Sequence, residues 1–228
     1  MVRRYPDSVA SMPLVAILDI DGTLVDTNYQ HAVAWYRAFR RFDETLPLWR
    51  LHRAIGMGGD QLVPALAGDE FEEEHGDEVR DAEKELYAEL MGEAAALPGA
   101  TDLIRKLVEL DHTVVLASSA KGDEVDHYVE LLGVSDLDLP RTTSDDVEQT
   151  KPAPDLVQSA LDKVDERDGA VMLGDSVYDC EAAGRADVPS LGVLTGGFSR
   201  EELTEAGARS VYESPAEILE QLEDTPFA

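Results

Sequence analysis

Four short apolar runs constrain this chain more than any other feature: LVAILDI at 14–20, TVVLASS at 113–119, AVMLGDS at 170–176 and SLGVLTG at 190–196. Each has the length of a strand, and none alternates apolar with polar residues as a half-exposed strand does. A strand without alternation is buried on both faces, the condition of a parallel sheet covered by helices. Helical patterns lie between the runs, at TDLIRKLVEL (101–110), GDEVDHYVELLG (122–133) and PDLVQSALDKV (154–164), with Thr101 or Asp155 as expected N-caps. Strand alternating with helix predicts a doubly wound α/β fold. In such a sheet ligands collect at the carboxyl edge, where these runs end in polar or small residues.

The stretch between the first and second runs is too long for a single crossover. It holds helical patterns at 28–42, 46–56, 59–68 and 72–92, so residues 27–95 are expected to form an inserted α-helical domain. The core is then 13–26 with 96–228, and Pro98 and Gly99 mark the return to it. From Asp69 to Glu93 twelve acids face two bases, Arg80 and Lys84, which reads as a solvated helix face rather than a docking surface. Residues 1–12 carry a basic pair without an apolar stretch behind it and read as a loose leader.

A formal charge of -29, from 19 basic and 48 acidic residues, argues against a surface that condenses on nucleic-acid phosphates or anionic lipid. The same acidity is a solubility device, and composition alone does not establish a high-salt habitat. No apolar segment approaches the roughly 18 residues needed to span a bilayer. The sole cysteine, Cys180, excludes an intrachain disulfide, and a soluble, cytoplasmic protein is expected. Oligomeric state is not legible.

The chemistry gathers at the strand ends. They supply Asp19, Asp21 and Thr23, then Ser118 and Ser119, then Asp175 with Asp179 four residues on, while Lys151 stands in TKPAP before the helix leading to the third run. Two carboxylates delivered to one spot repel each other unless a cation intervenes. Carboxylates without a histidine or cysteine cluster suit a hard, oxygen-seeking ion, and Mg²⁺ held by one or two carboxylates plus substrate phosphate is the usual arrangement. Asp19 and Asp21 are two apart, so on an extended strand they lean to one face, where one can attack while the other shuttles a proton. Gly22 lets the chain turn away. The phosphoryl charge would be screened by Mg²⁺, Lys151, backbone N–H groups and the Ser118 hydroxyl.

DIDGT at 19–23, Ser118 in LASSAK, Lys151 in TKPAPD and GDSVYD at 174–179 occur in the order and placement of a known set. On these motifs the chain resembles the haloacid dehalogenase-like superfamily of phosphohydrolases over essentially residues 13–213. The resemblance implies a Rossmann-like core with a helical cap at 27–95. It implies Asp19 as the nucleophile forming an aspartyl-phosphate, and Asp21 as general acid for the leaving group and base for the attacking water. Ser118 and Lys151 would grip phosphoryl oxygens, with Ser119 competing with Ser118 and Thr23 nearby. Asp175 would complete the Mg²⁺ site with Asp19 and the backbone carbonyl of Asp21. Asp179 would buttress the loop or cap a helix, and His31 would sit near the cap hinge or pack within its helix.

Substrate choice falls to the insertion, where Gly56, Gly58 and Gly59 make a turn able to approach a substrate closely. Arg53 or His52 would meet a second anionic group. Trp35 and Phe39, four apart, read as core, and Lys121 as solvent-facing. The expected activity is Mg²⁺-dependent hydrolysis of a small-molecule phosphate ester. The rival enzyme is a sugar-phosphate mutase of the β-phosphoglucomutase kind, disfavoured because the turn reads GMGGD, with glycine where such mutases place an arginine. The rival of another class is a phosphate-ligand binding protein without turnover.

Overall fold

A computed structural model describes residues 13–165 and 168–228, so the expected leader lies outside the described residues. Its eight strands are β1 (Val15–Leu18), β2 (Val25–Asp26), β3 (Ala95–Ala96), β4 (Thr113–Ala117), β5 (Arg141–Thr142), β6 (Ala170–Gly174), β7 (Ser190–Val193) and β8 (Ala208–Tyr212). Six of them form one sheet in the order β5-β4-β1-β6-β7-β8, with every pairing parallel.

Burial explains why the central strands read as continuous apolar runs. Along β1, Ala16 and Leu18 belong to one core cluster while Val15 and Ile17 belong to a second. The same division repeats on β4, where Val114 and Leu116 oppose Val115 and Ala117, and on β6, where Val171 and Leu173 oppose Met172. Successive side chains point to opposite faces, and both faces are covered. Each fully buried Val, Leu or Ile contributes about 1.5–3 kcal/mol relative to exposure, so a polar residue at any of these positions would be costly.

Helices α1 (Asn28–Arg41), α2 (Leu48–His52), α3 (Gly59–Ala67) and α4 (Asp69–Ala88) come between β2 and β3, which pair antiparallel as a separate two-stranded ladder. That ladder closes the insertion where it leaves the sheet. The remaining helices are α5 (Ala100–Glu109), α6 (Gly122–Leu131), α7 (Asp155–Asp162), α8 (Val177–Arg185), α9 (Arg200–Glu205) and α10 (Pro215–Glu220). No described helix is long and apolar enough to cross a membrane.

The expected N-caps differ from the observed ones. Gly99, at φ 81°, caps α5, and Pro154 caps α7. Thr101 and Asp155 fall inside their first turns because each is engaged elsewhere: the Thr101 hydroxyl donates to the Leu132 carbonyl at 2.8 Å, and the Asp155 carboxylate accepts from the Gln149 N–H at 3.3 Å. Trp35 and Phe39 are buried in the core as expected. Along α4 the solvated-face expectation holds for most acids, but Glu83 is buried.

Candidate active site

The carboxyl ends of β1, β4 and β6 bring the expected residues together. Asp19, just past β1, stays bonded to the sheet through its N–H, which donates to the Leu173 carbonyl at 3.0 Å. Its buried carboxylate is ion-paired to Lys151, whose ammonium also reaches Asp179 at 2.8 Å and the Ala117 carbonyl at 3.2 Å. The Thr23 hydroxyl lies 2.9 Å from Asp19 Oδ2 and 3.0 Å from Asp175 Oδ1. It therefore bridges two carboxylates, and it is not part of the cavity lining. Gly22, at φ 77°, turns the chain here, and a side chain on it would collide with Asn28 and Asp175.

Asp179 caps a helix, one of the roles open to it in sequence, and has a further partner that the sequence did not suggest. It is the third residue of α8 in a capping box with Ser176, and it is also an ion partner of Lys151. Asp19, Asp175 and Asp179 bring carboxylate oxygens within 4.8 Å of one another, an all-oxygen donor set that fits a hard divalent cation. The Asp21 side chain is not in that cluster. Among the described residues no hydrogen bond reaches the Asp21 backbone oxygen, which leaves it open to a ligand.

Asp21 is instead wrapped by donors. Thr27 donates to Oδ1 at 2.8 Å, Ser118 donates to Oδ2 at 3.0 Å, and His31 Nε2 lies 3.4 Å from Oδ1. The Ser118 hydroxyl also accepts from the Ala120 N–H at 2.9 Å. Ser118 thus serves Asp21, while the neighbouring Ser119 lines the cavity with its hydroxyl unpartnered among the described residues. His31 stacks on Tyr87 at 3.7 Å between ring centroids, and its Nδ1 meets Glu83 at 3.0 Å.

These surroundings set the charge states. Burial pushes the Asp19 carboxyl well above its ordinary value, with Lys151 opposing and Asp179, Asp175 and Asp21 adding to the rise. Burial, then Asp179, pushes Asp175 up to about 7 against hydrogen bonds from Asn28 and Thr23. Burial would raise Asp21 too, yet the bonds from His31, Thr27 and Ser118 win and hold it below the usual range. Burial would lower His31, but Asp21 and Glu83 raise it well above normal. Burial would likewise lower Lys151, and Asp179 with Asp19 raises it. The two shifts act in the same sense, favouring an ionised Asp21 beside a protonated His31.

A cavity of about 540 Å³ opens over Asp19 and Asp21, between the sheet edge and the helical insertion. Gly58 and Gly59 line it, as does α4 through Asp77, Arg80, Asp81 and Lys84, a spacing that puts them on one stripe of the helix. Gly58 packs so tightly against Thr150 that a side chain there would overlap it. Asp60, two residues on, accepts from the Thr150 N–H at 3.1 Å and from its hydroxyl, fastening the insertion to the loop that carries Lys151.

Arg53 does not line this cavity. Its guanidinium is paired to Glu202 at 2.5 Å, donates to the Gly197 carbonyl at 3.3 Å and lies over the Phe198 ring at 3.8 Å, so the structure does not bring it together with the other expected site residues. His52 is likewise stacked on Tyr29 at 4.7 Å. Lys121, by contrast, is exposed yet part of the cavity lining. The sequence reading missed Asn28, whose amide donates to Asp175 Oδ2 at 3.0 Å, and also Thr27 and Glu83. The polar pair Thr27-Asn28 directly after DIDGTLVD was a usable signal, since no apolar periodicity calls for it. Glu83, one acid among many on α4, gave none.

With this geometry in view, the sequence matches the family described as haloacid dehalogenase-like hydrolase over residues 16–193. The chain belongs to the haloacid dehalogenase-like hydrolases. Among curated relatives, a validoxylamine A 7'-phosphate phosphatase of Streptomyces hygroscopicus subsp. limoneus is 29% identical over 188 residues, covering 79% of this chain and 85% of the relative. A phosphoglycolate phosphatase of Rhodospirillum rubrum is 28% identical over 219 residues, 91% of this chain and 90% of the relative. Among solved structures, a hydrolase from Pseudomonas syringae superposes with a TM-score of 0.87 at 32% identity, covering 92% of this chain and 98% of that one. This haloacid dehalogenase-like hydrolase accordingly shares its family's α/β fold, and its curated relatives are named phosphatases.

Proposed function

We propose that this hydrolase is a cytoplasmic, Mg²⁺-dependent phosphatase that hydrolyses a small-molecule phosphomonoester through an aspartyl-phosphate on Asp19, with residues 27–95 acting as the cap over the site. The observation that carries the reading is the meeting of Asp19 with Lys151 and Thr23, next to Asp175, at the base of a cavity walled by the helical insertion. An Asp19 oxygen attacks phosphorus and the bond to the ester oxygen breaks. That oxygen leaves as the alcohol, taking its proton from Asp21. Water then attacks the phosphorus of the acyl phosphate while Asp21 accepts its proton, so that inorganic phosphate departs and Asp19 is restored.

Asp21 rests ionised, so it must gain a proton before the first step. His31, protonated and 3.4 Å away, is placed to supply it. Lys151 balances charge on the transferring phosphoryl group, and Ser119 offers a free hydroxyl at the cavity wall. Bound Mg²⁺, held by Asp19, Asp175 and the backbone oxygen of Asp21, would supply further positive charge against the phosphoryl oxygens. Asp179 acts behind Lys151, fixing its position.

The mutase alternative requires a second phosphate to be gripped away from Asp19. The turn at Gly58 and Gly59 carries no base, and Arg80 on the same wall is already paired with Glu72 and Asp77 at 2.9 Å each, which favours hydrolysis. The test is phosphate release from a generic aryl phosphate. Release that needs Mg²⁺ and disappears in Asp19→Asn supports the phosphatase, whereas release unaffected by chelation or by that substitution refutes it. Isomerisation of a hexose 1-phosphate without net phosphate release would instead establish the mutase.

A further inference from the structure

Away from Asp19 and Asp21 the cavity wall is acidic. Seven further carboxylates line it against Arg80, Lys84, Lys121 and His31. Three of these four bases are already committed: Arg80 to Glu72 and Asp77, Lys84 to Asp123 at 2.8 Å, and His31 to Glu83 and Asp21. Lys121 has no ion partner among the described residues, but it is exposed and shares the wall with Asp145 and Glu148. A second anionic group on a substrate would therefore meet mostly uncompensated negative charge.

One of these carboxylates stands apart. Glu124, in the first turn of α6, is only 7% exposed and lines the cavity. No hydrogen bond or ion pair reaches its carboxyl among the described residues, although Tyr87, Tyr128 and Glu83, buried nearby in the fold, all have partners. The Glu124 oxygens are not sealed in the protein but open onto the cavity, where a donor on a bound ester can take the place of water and is worth more than in bulk solvent. A cationic donor would also offset the surplus of negative charge.

We infer that Glu124 is a specificity residue that receives a hydrogen-bond donor of the leaving group, a protonated amine or a hydroxyl, and that the acidic wall rejects esters bearing a carboxylate or a second phosphate. This rests on the phosphatase reading above and narrows it: the substrate is the phosphomonoester of a polyhydroxy or amino alcohol. Burial pushes the Glu124 carboxyl up to about 7, and a cationic donor bound at close range would favour its ionised form.

The test compares kcat/KM of the full chain with Mg²⁺ on two matched series. The first is 2-aminoethyl phosphate, 2-hydroxyethyl phosphate and phosphoglycolate; the second is glucosamine 6-phosphate, glucose 6-phosphate and 6-phosphogluconate. The amine or hydroxyl ester should exceed its carboxylate counterpart by about tenfold or more, the worth of one charge-assisted hydrogen bond. Which of the two leads identifies the donor. In Glu124→Gln that ratio should collapse toward one, chiefly through KM, while Glu124→Asp should retain part of it. A wild-type preference for the carboxylate esters, or a ratio unmoved by Glu124→Gln, overturns the inference even though phosphate is released. No release from these esters or from an aryl phosphate refutes the phosphatase reading itself and takes this inference with it.

Discussion

Glu124→Gln also bears on stability, and its magnitude can be worked from the structure. Burial is the largest cause of the rise in the Glu124 carboxyl from an ordinary 4.5 to about 7, with Glu83, Asp21 and Asp123 adding and His31 opposing. A carboxyl whose folded value is raised binds a proton more tightly when folded than when unfolded. Its stabilising effect is full below the unfolded value and is lost as pH rises through the folded one. At about 1.4 kcal/mol per tenfold change in proton affinity, the loss across that window is about 3 kcal/mol. Glutamine has nearly the same shape and cannot ionise, so it keeps what glutamate loses. Urea unfolding of both proteins in the absence of phosphate ester should then show Gln gaining about 3 kcal/mol on Glu between about pH 4 and pH 8, with most of the change below pH 7. A stability difference that stays flat across this range would mean that the carboxyl is solvated rather than buried against the cavity. The reasoning behind the specificity role would fail with it.

Other substitutions probe the rest of the site. Lys151→Met leaves Asp19 and Asp179 buried without their shared cation and should cost roughly 3–5 kcal/mol in chelator, read by urea unfolding; a cost under about 1 kcal/mol would show that the pairs contribute little. Asp21→Asn should leave Mg²⁺ binding in place, since the backbone oxygen is the expected ligand, while turnover falls by roughly 10²–10⁴; undiminished turnover would remove Asp21 from proton transfer. Asp60→Ala breaks two bonds to Thr150 and should lower kcat/KM on an aryl phosphate about tenfold or more, with unchanged kinetics showing that this fastening does not position Lys151.

The central strands were legible because burial on both faces leaves a mark in sequence, an apolar run that does not alternate. Strands β5 and β8 leave none: Arg141–Thr142 is too short to form a pattern, and ARSVY at 208–212 mixes charge with apolar residues at the sheet edge, where one side lacks a neighbour. The floor of the candidate site was legible because strand ends in a parallel sheet converge on one edge, so Asp19, Ser118 and Asp175 could be placed from their runs. Contacts between the insertion and the core were not. Whether Arg53 points into the cavity or to Glu202 depends on how α2 docks, and nothing local to RLHRAIG decides it. Which of Ser118 and Ser119 bonds Asp21 was not legible for the same reason, since that hydroxyl is chosen by the rotation of the chain just beyond β4. Glu83 and Glu124 differ from their many acidic neighbours only in burial, a property of the packed molecule.

The most direct test is to look for the phosphoryl group on the enzyme. The full chain with Mg²⁺ and an aryl phosphate, quenched in acid within its first turnovers and digested for mass spectrometry, should carry phosphate on Asp19 and on no other residue, and the Asp19→Asn protein should carry none. Phosphate release at full rate with Asp19 never modified, or with the label on a different side chain, would contradict covalent catalysis at the end of β1.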